Sequence, residues 1–380
     1  MSNTEIAPEQ GVLFPLPPVP TPIYVPKTEV TSLTSHNEAQ PALFSNSEGV
    51  IPELSDEAKH EVILHILSLW RGRGFPYYST DFSTREHEWE RFVRSGSKTV
   101  LYGDTIRQTM AGLALAWSYF PHAWEIRVRR SLSPMDVWES DELMLRAIKR
   151  RLERSEIRIS VNTDLSPARL RKALGSIGNV QRVANFRPTA AWALYDRYAD
   201  GAVWDLSSGF GGRLLGAIAS ERVSSYIGTD PSTKTFAGLQ ALSEDFSNKT
   251  HTNVELHCVG SEDFVPEANS LSLAFTSPPY FSTERYANEP TQSFIRFPEK
   301  ELWNEGFLRK SIENAHIGLR KGGHLILNVA NTREHSTLEA DTVRISVECG
   351  FQLETTLQLA LSAVSKGGFK YEPTFVFVKR

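Results

Sequence analysis

Glycines and carboxylates follow three successive apolar segments in the second half of the chain. In chain order they are Asp205, Gly209, Gly211, Asp230, Glu262 and Asp263. A glycine-rich turn after a strand lets the backbone approach a ligand, and the following helix offers free N–H groups. An acidic side chain at the end of the next strand is placed to hold ribose hydroxyls. Because no P-loop lysine accompanies the set, it predicts a site for an adenosine without phosphates, although each carboxylate alone would also suit a helix N-cap.

The elements that position these residues alternate between short β-rich runs and helical stretches. The runs are AVWDLS, SSYIGTD, VELHCVG, LSLAFTS, HLILNVAN and TFVFVKR. This alternation is the signature of a doubly wound α/β sheet. Before it, apolar spacing predicts a helix that begins after Ser55 as N-cap, and further helices over 84–96, 104–118, 139–154 and 166–175.

Composition divides the chain into three parts. Residues 1–52 hold the run FPLPPVPTPIYVP and are expected to form an extended or disordered arm. Residues 53–180 are mainly helical, and residues 181–380 carry the sheet. The stretch 123–187 holds fourteen Lys or Arg against eight Asp or Glu, net +6, within a chain of net charge -4. Its basic excess is a candidate surface for substrate recognition, although such runs are also typical of a solvated helix face.

The fourth β-rich run ends in Ser277, Pro278, Pro279 and Tyr280. The ordered set DLSSGFGG, IGTD, SEDF and TSPPY resembles the S-adenosylmethionine-dependent amino-methyltransferases of DNA, over residues 185–380. The resemblance implies a Rossmann-like class I methyltransferase fold preceded by a helical domain. It also implies S-adenosylmethionine as cofactor, S-adenosylhomocysteine as product, and cytosine N4 or adenine N6 as the methylated group.

The resemblance and the composition of the loops together predict a set of site residues. The predicted catalytic residues are Ser277, Pro278, Pro279 and Tyr280. The predicted cofactor-binding residues are Asn185, Phe186, Arg187, Pro188, Asp205, Ser207, Gly209, Gly211, Asp230, Glu262 and Asp263. In the polar, aromatic-dotted loop that follows, the predicted substrate-binding residues are Phe281, Arg285, Tyr286 and Arg296. The final segment, KGGFKYEPTFVFVKR, resembles the closing hairpin of the family and would bring 370–373 near the substrate cleft.

The chemistry of amine methylation accounts for the SPPY residues. An exocyclic base amine is a poor nucleophile, so an enzyme must accept its hydrogens and hold the nitrogen in line with the methyl donor. The Pro278 carbonyl and the Ser277 hydroxyl would accept those hydrogens, and Tyr280 would stack on a base taken out of the duplex. The resemblance implies that serine before the two prolines favours cytosine N4 over adenine N6, because this form is commoner among the cytosine enzymes of the family. Neither Cys258 nor Cys349 follows a proline, so methylation of a ring carbon through a cysteine nucleophile is disfavoured.

Composition also excludes several classes of protein. Two cysteines exclude a disulfide framework and a four-cysteine zinc site, and no metal is expected. No apolar run reaches the roughly 18 residues of a membrane span, and the N-terminus lacks a secretory signature. We therefore expect a soluble, cytoplasmic protein, and the resemblance implies a DNA methyltransferase, a solitary modification enzyme rather than one fused to a restriction endonuclease. A methyltransferase of RNA, protein or a small-molecule amine, and a non-catalytic DNA-binding protein, are the alternatives; the sequence leaves oligomeric state open.

Overall fold

The computed structural model describes residues 49–50, 55–107, 109–153, 158–159, 164–363 and 369–380, which belong to one compact unit. The predicted arm over 1–52 lies outside the described residues except for 49–50. The helices are α1 Asp56–Arg73, α2 Phe82–Ser95, α3 Leu113–Trp117, α4 Pro134–Glu139, α5 Asp141–Glu153, α6 Pro167–Leu174, α7 Pro188–Tyr198, α8 Gly212–Ala219, α9 Thr233–Phe246, α10 Ser293–Arg296, α11 Lys300–Trp303, α12 Lys310–Gly318 and α13 Leu338–Glu348. The strands are β1 Gly49–Val50, β2 Leu101–Tyr102, β3 Thr105–Ile106, β4 Arg127–Val128, β5 Arg158–Ile159, β6 Gly201–Asp205, β7 Val223–Thr229, β8 Asn253–His257, β9 Leu271–Thr276, β10 Glu284–Arg285, β11 Leu319–Asn328, β12 Phe351–Ala363 and β13 Phe369–Lys379.

The central sheet has nine strands in the order β2-β3-β12-β13-β11-β9-β6-β7-β8. Strands β8, β7, β6, β9 and β11 are parallel, and β13 is antiparallel to both β11 and β12. The chain enters at β6, winds outward to β8, and returns to β9 on the other side of β6. This reversal makes the fold a Rossmann-like, doubly wound α/β sheet, and the predicted fold class is confirmed.

Alternating side chains bury both faces of the sheet. Val203 and Leu273 pack in one core with α7, α8 and α9, whereas Trp204 and Ala274 pack in a second core with the 300–318 helical stretch and α13. All six residues of β9 are buried. Burial on both faces explains why these strands read as continuous apolar runs in the sequence.

The residues before the sheet form helices that build a third core. Ile66, Met144 and Leu170, from α1, α5 and α6, are fully buried there. The predicted cap of α1 is confirmed, because the Ser55 hydroxyl accepts a hydrogen bond from the backbone N–H of Ala58 at 3.2 Å. No helix in the described part of the chain is long and apolar enough to cross a membrane.

The predicted helix over 104–118 is wrong in its first half. Residues 105–106 form β3, which pairs with β2 and with β12 at the edge of the sheet, and only Leu113–Trp117 is helical. Gly112, at φ 81°, starts that short helix in a left-handed conformation that glycine adopts without strain. The division of the chain near residue 180 stays a prediction. Residues 101–106, which precede that position, add two strands to the sheet.

Candidate functional site

A cavity of about 290 Å³ lies at the carboxyl ends of the central parallel strands, where the strand order reverses. Four loops line it, at 207–210 after β6, 230–231 after β7, 260–262 after β8 and 277–280 after β9. Ligands bind at this position in open α/β sheets because the loops from neighbouring strands diverge there. The fold therefore brings the glycine loop, one carboxylate from each of the next two strand ends, and the SPPY segment into one space.

Twelve of the predicted site residues line the cavity: Asn185, Phe186, Arg187, Ser207, Gly209, Asp230, Glu262, Ser277, Pro278, Pro279, Tyr280 and Tyr286. Seven do not: Pro188, Asp205, Gly211, Asp263, Phe281, Arg285 and Arg296. The roles assigned to all of them stay predictions.

The glycine loop is locked against the segment that precedes α7. A Cβ on Gly212 would lie 1.9 Å from the carbonyl oxygen of Phe186, so only glycine fits this contact. The Asn185 amide donates a hydrogen bond to the Phe210 carbonyl at 2.8 Å. Gly211 has φ 72° and is the N-cap of α8, and a Cβ there would meet Leu242 and Phe120 in the core, so it supports the loop without lining the cavity.

Asp230 is held in a fixed orientation at the end of β7. Its Oδ2 accepts the Gly209 N–H at 2.9 Å and its Oδ1 accepts the Ser232 N–H at 3.0 Å. Burial raises the pKa of this carboxyl to about 6, against the lowering effect of the two N–H donors. The side chain is thus oriented toward a ligand, and its charge is sensitive to mild acid.

Asp205 forms a buried ion pair behind the glycine loop instead of facing the cavity. The Arg213 Nε donates to its two carboxylate oxygens at 3.0 and 2.9 Å, and the Tyr226 hydroxyl donates at 2.7 Å. Arg213 also donates to the Ser207 carbonyl and lines the cavity. The carboxylate thereby positions Arg213, which was not among the predicted site residues. The sequence feature that could have identified it is a lone arginine in the otherwise apolar helix α8.

The two acidic residues after β8 lie in different surroundings: Glu262 is buried and lines the cavity, whereas Asp263 is exposed and does not. The Arg296 guanidinium donates to Glu262 Oε1 at 2.6 Å and to both oxygens of Asp263. Glu262 is 4% exposed, and its Oε2 has no hydrogen-bond partner among the described residues. Burial raises the pKa of Glu262. Arg296, predicted to meet a phosphate, is therefore engaged by the acidic pair, and the unpaired Glu262 oxygen is the atom available to a ligand.

The SPPY segment lines the same cavity as Asp230. Tyr280 donates its hydroxyl to the Asn328 carbonyl at 3.2 Å, and burial raises its pKa well above the usual value. Phe281, predicted to contact substrate, instead turns into the second core at φ 54° and packs edge-on against Trp303 and His335. The backbone turn after Tyr280 thus separates the cavity side of this loop from its core side.

The predicted site residues do not include two carboxylates that line the cavity near the SPPY segment. Glu284 of β10 and Glu372 of β13 both line the cavity. Glu284 accepts a hydrogen bond from the Tyr286 hydroxyl. Arg285, which was predicted to bind substrate, is exposed to solvent and does not line the cavity. Of the residues 370–373, which were predicted to lie near the substrate cleft, Glu372 lines the cavity. For Glu372, the available signal was an acidic residue two positions before the buried run of 374–378.

The segment after β10 closes one wall of the cavity. The Glu289 carboxylate accepts the backbone N–H and the hydroxyl of Thr233 at the start of α9, the hydroxyl at 2.6 Å. Thr291 donates to the Pro231 carbonyl at 3.0 Å. Gln292, 5% exposed, lines the cavity with an amide nitrogen that has no partner in the described part of the chain. These contacts tie the segment to the loop that carries Asp230.

No metal site accompanies the cavity within the described ranges. They contain no group of three or more His, Cys, Asp or Glu side chains placed to hold a metal ion.

A scan against protein-family models finds no match, and a search of curated proteins finds none either. Solved structures with similar folds include a SAM-dependent methyltransferase of Methanosarcina mazei (13% identity, 48% of this chain and 93% of that chain, TM-score 0.33). They also include TrmN of Thermus thermophilus (16% identity, 51% and 49%, TM-score 0.36) and the geranyl diphosphate C-methyltransferase of Streptomyces coelicolor, solved with S-adenosyl-L-homocysteine (11% identity, 48% and 73%, TM-score 0.32). Sequence identities and TM-scores this low do not indicate a shared activity or substrate.

Proposed function

We propose that this protein is a DNA methyltransferase that transfers a methyl group from S-adenosylmethionine to an exocyclic base amine, with cytosine N4 favoured over adenine N6. The observation that carries the proposal is the single cavity in which the glycine loop and Asp230 meet the SPPY segment. A donor site and an acceptor site must share one space for direct methyl transfer, because the nitrogen has to reach the methyl carbon in line.

The cofactor end offers groups that fit an adenosine with a methionine tail. Asp230 is oriented for ribose hydroxyls, and the unpaired Glu262 oxygen and Gln292 amide provide an acceptor and a donor for an adenine edge. Arg213 and the segment 185–187 lie where a methionine end would extend. When bound, S-adenosylmethionine supplies an electrophilic sulfonium methyl.

The acceptor end offers groups that fit an amine. The Ser277 hydroxyl and the Pro278 carbonyl accept its hydrogens, and Tyr280 provides a ring against which a flipped base stacks. As the bond between carbon and sulfur breaks, the bond between carbon and nitrogen forms, and one amine proton is released. The serine that precedes the prolines supports the preference for cytosine.

The alternative functions would use the same cavity with a different substrate, or with none. RNA, a protein side chain or a small-molecule amine would use the same donor end, and a non-catalytic DNA-binding protein would keep the fold without turnover. The exposed cations on α5 and α6, among them Lys149, Arg169 and Lys172, support a nucleic-acid partner.

The test is incubation of the protein with labelled S-adenosylmethionine and duplex DNA, single-stranded DNA or RNA, followed by nucleoside digestion and mass spectrometry. We expect labelled N4-methylcytosine from DNA. Cofactor binding without any labelled nucleoside would replace the DNA substrate with a protein or small-molecule amine. Absence of cofactor binding would overturn the enzyme assignment.

A further inference from the structure

Two acidic side chains from different strands face the acceptor end of the cavity. Glu284 and Glu372 lie close enough to influence each other and Tyr280 electrostatically. In the described part of the chain, neither forms an ion pair with a lysine or arginine. The nearest guanidinium groups are engaged elsewhere, since Arg187 donates to the carbonyls of residues 360 and 361 and Arg129 pairs with Glu334 at 2.9 Å.

The two carboxyls differ in how far the protein satisfies them. Glu284 accepts the Tyr286 hydroxyl and the backbone N–H of Ala184. Glu372 lies beside the Tyr280 hydroxyl and the Asn328 amide, but those donors are engaged with other acceptors. The Tyr280 hydroxyl donates to the Asn328 carbonyl, as described above.

The Asn328 amide donates to the Pro373 carbonyl at 3.0 Å and to the Thr374 hydroxyl at 3.2 Å. Both of its hydrogens are therefore used. The Glu372 carboxyl remains the less satisfied of the two acids and lines the cavity, so it is the one available to a substrate.

The surroundings of Glu372 favour its neutral form. Burial raises its pKa and is the largest influence; Glu339 acts in the same direction, whereas Lys370 and the neighbouring Tyr280 hydroxyl and Asn328 amide lower it. The charge of Glu372 also raises the pKa of Arg187, and Glu284 of β10 lies close enough to Glu372 for their charges to interact. A neutral carboxyl presents an O–H donor, which a carboxylate lacks.

We propose that Glu372 is a specificity-determining residue of the acceptor subsite, whose carboxyl donates a hydrogen bond to the ring nitrogen next to the amine that is methylated. This inference rests on the function proposed above. Cytosine N3 and adenine N1 are unprotonated acceptors beside an exocyclic amine, and base-modifying enzymes read a flipped base along this edge. Glu372 therefore selects an amidine-type acceptor, and the Tyr280 hydroxyl and the Asn328 amide lie beside its carboxyl.

The test uses the full chain and an oligonucleotide that carries the site methylated in the nucleoside assay. A second oligonucleotide has 3-deazacytosine at the target position, or 1-deazaadenine if adenine is methylated. The variants are Glu372→Ala, Glu372→Gln and the control Glu354→Gln, an exposed glutamate of β12 that contacts His324 outside the cavity. Cofactor affinity, measured by calorimetry, shows that each variant folds and retains the donor end.

We expect Glu372→Ala to lose about tenfold or more in kcat/KM on the natural base, as for the loss of one buried hydrogen bond. The variant should also lose most of the discrimination that the wild type shows between the natural and the deaza base. The substitution Glu372→Ala and the deaza base each remove the same hydrogen bond between the carboxyl and the ring nitrogen. Glu372→Gln should recover most of the loss, since its amide N–H donates to the same ring nitrogen. Glu354→Gln should match the wild type.

Three results would overturn the inference. If the wild type methylates the base and Glu372→Ala retains both its rate and its discrimination, Glu372 does not read the ring nitrogen, although the proposed function stands. If Glu372→Gln is as impaired as Glu372→Ala, a negative charge is required, as for a cationic amine substrate. If the wild type binds the cofactor but methylates no base, the proposed function fails and the inference fails with it.

Discussion

At the scale of single residues, burial and hydrogen bonding prepare the two ends of the cavity differently. Asp230 is buried but receives two backbone N–H donors, so its carboxylate is oriented while its pKa is about 6. Glu262 and Glu372 are shifted in the same direction by burial. In the proposed function, cofactor binding therefore depends on a charge that is lost in mild acid, whereas burial raises the pKa of the carboxyl assigned to the acceptor subsite.

Cofactor affinity should fall with acid through the titration of Asp230. A carboxylate accepts ribose hydroxyls better than its protonated form, so between pH 7.5 and pH 5 the affinity for S-adenosylmethionine should drop about tenfold. Calorimetry across this range provides the measurement. Asp230→Asn should bind weakly at every pH and lack this component of the pH dependence; an unchanged pH profile in the variant would contradict the role of Asp230.

The stability of the unliganded protein should follow the opposite trend. Because the folded-state pKa is raised above the usual 3.8, the folded protein binds more protons than the unfolded chain between about pH 4 and pH 6. The contribution of Asp230 to the free energy of unfolding therefore decreases as pH rises through this window, by about 3 kcal/mol in total. The difference between wild type and Asp230→Asn in urea unfolding isolates this contribution from the other acids.

At the scale of elements, the glycine loop is fixed by the close crossing of α7 and α8. A Cβ on Gly216 would lie 2.7 Å from the backbone nitrogen of Trp192 and 2.8 Å from the Cβ of Ala191. With Gly212, this contact sets the distance between the segment 185–187 and the loop after β6. The geometry of the cofactor end thus depends on glycines that lie outside the cavity.

Gly216→Ala should therefore destabilise the protein. Overpacking at a helix crossing costs about 1–3 kcal/mol, because backbone atoms cannot yield as side chains do. The matched control is Gly72→Ala in α1, where a Cβ would meet nothing within 4 Å and a gain of up to about 1 kcal/mol is expected. Urea unfolding of both variants measures these free energies; equal stability of the two would show that α7 and α8 can separate without cost.

The elements predicted from the sequence were those with a strong local signal. The apolar runs that form β6, β9 and the second half of β11 were recognised because burial on both faces leaves an uninterrupted pattern, whereas the edge strand β8 has no buried residue. The two-residue strands β2 and β3 were missed because their pairing comes from contact with β12, far along the chain, and not from local propensity. Glu284 was missed for the same reason, because β10 is a two-residue strand that pairs with β4, whereas Glu372 fell within the predicted segment 370–373 without being named as a site residue.

At the scale of the whole molecule, charge is distributed unevenly along a chain whose net charge is -4. The stretch 123–187 carries net +6, and several of its cations are exposed on α5 and α6. Among the predicted basic residues, Arg146 lies 3.9 Å from Glu142, a weak surface pair, whereas Arg154 lies outside the described residues. Nucleic-acid binding through this surface requires only a local field, not a basic protein.

Reversing two of these charges should weaken DNA binding. Lys149→Glu with Lys172→Glu should lower affinity for duplex DNA and reduce the slope of log affinity against log salt by about 2, if each lysine contacts one phosphate. Fluorescence anisotropy over a range of salt concentrations measures the slope. The control Lys98→Glu changes an exposed lysine outside the basic stretch and should leave the slope unchanged. The same slope in all three proteins would remove α5 and α6 from the DNA-binding surface.

The division of the cavity into a donor end and an acceptor end is tested most directly by calorimetric titration of S-adenosylmethionine into the wild type, Asp230→Ala and Tyr280→Ala. We predict that Asp230→Ala weakens cofactor binding about tenfold or more, because it removes an oriented acceptor at the donor end. We predict that Tyr280→Ala keeps cofactor affinity within about threefold of the wild type while losing methyl transfer. An equal loss of cofactor affinity in the two variants would contradict the account.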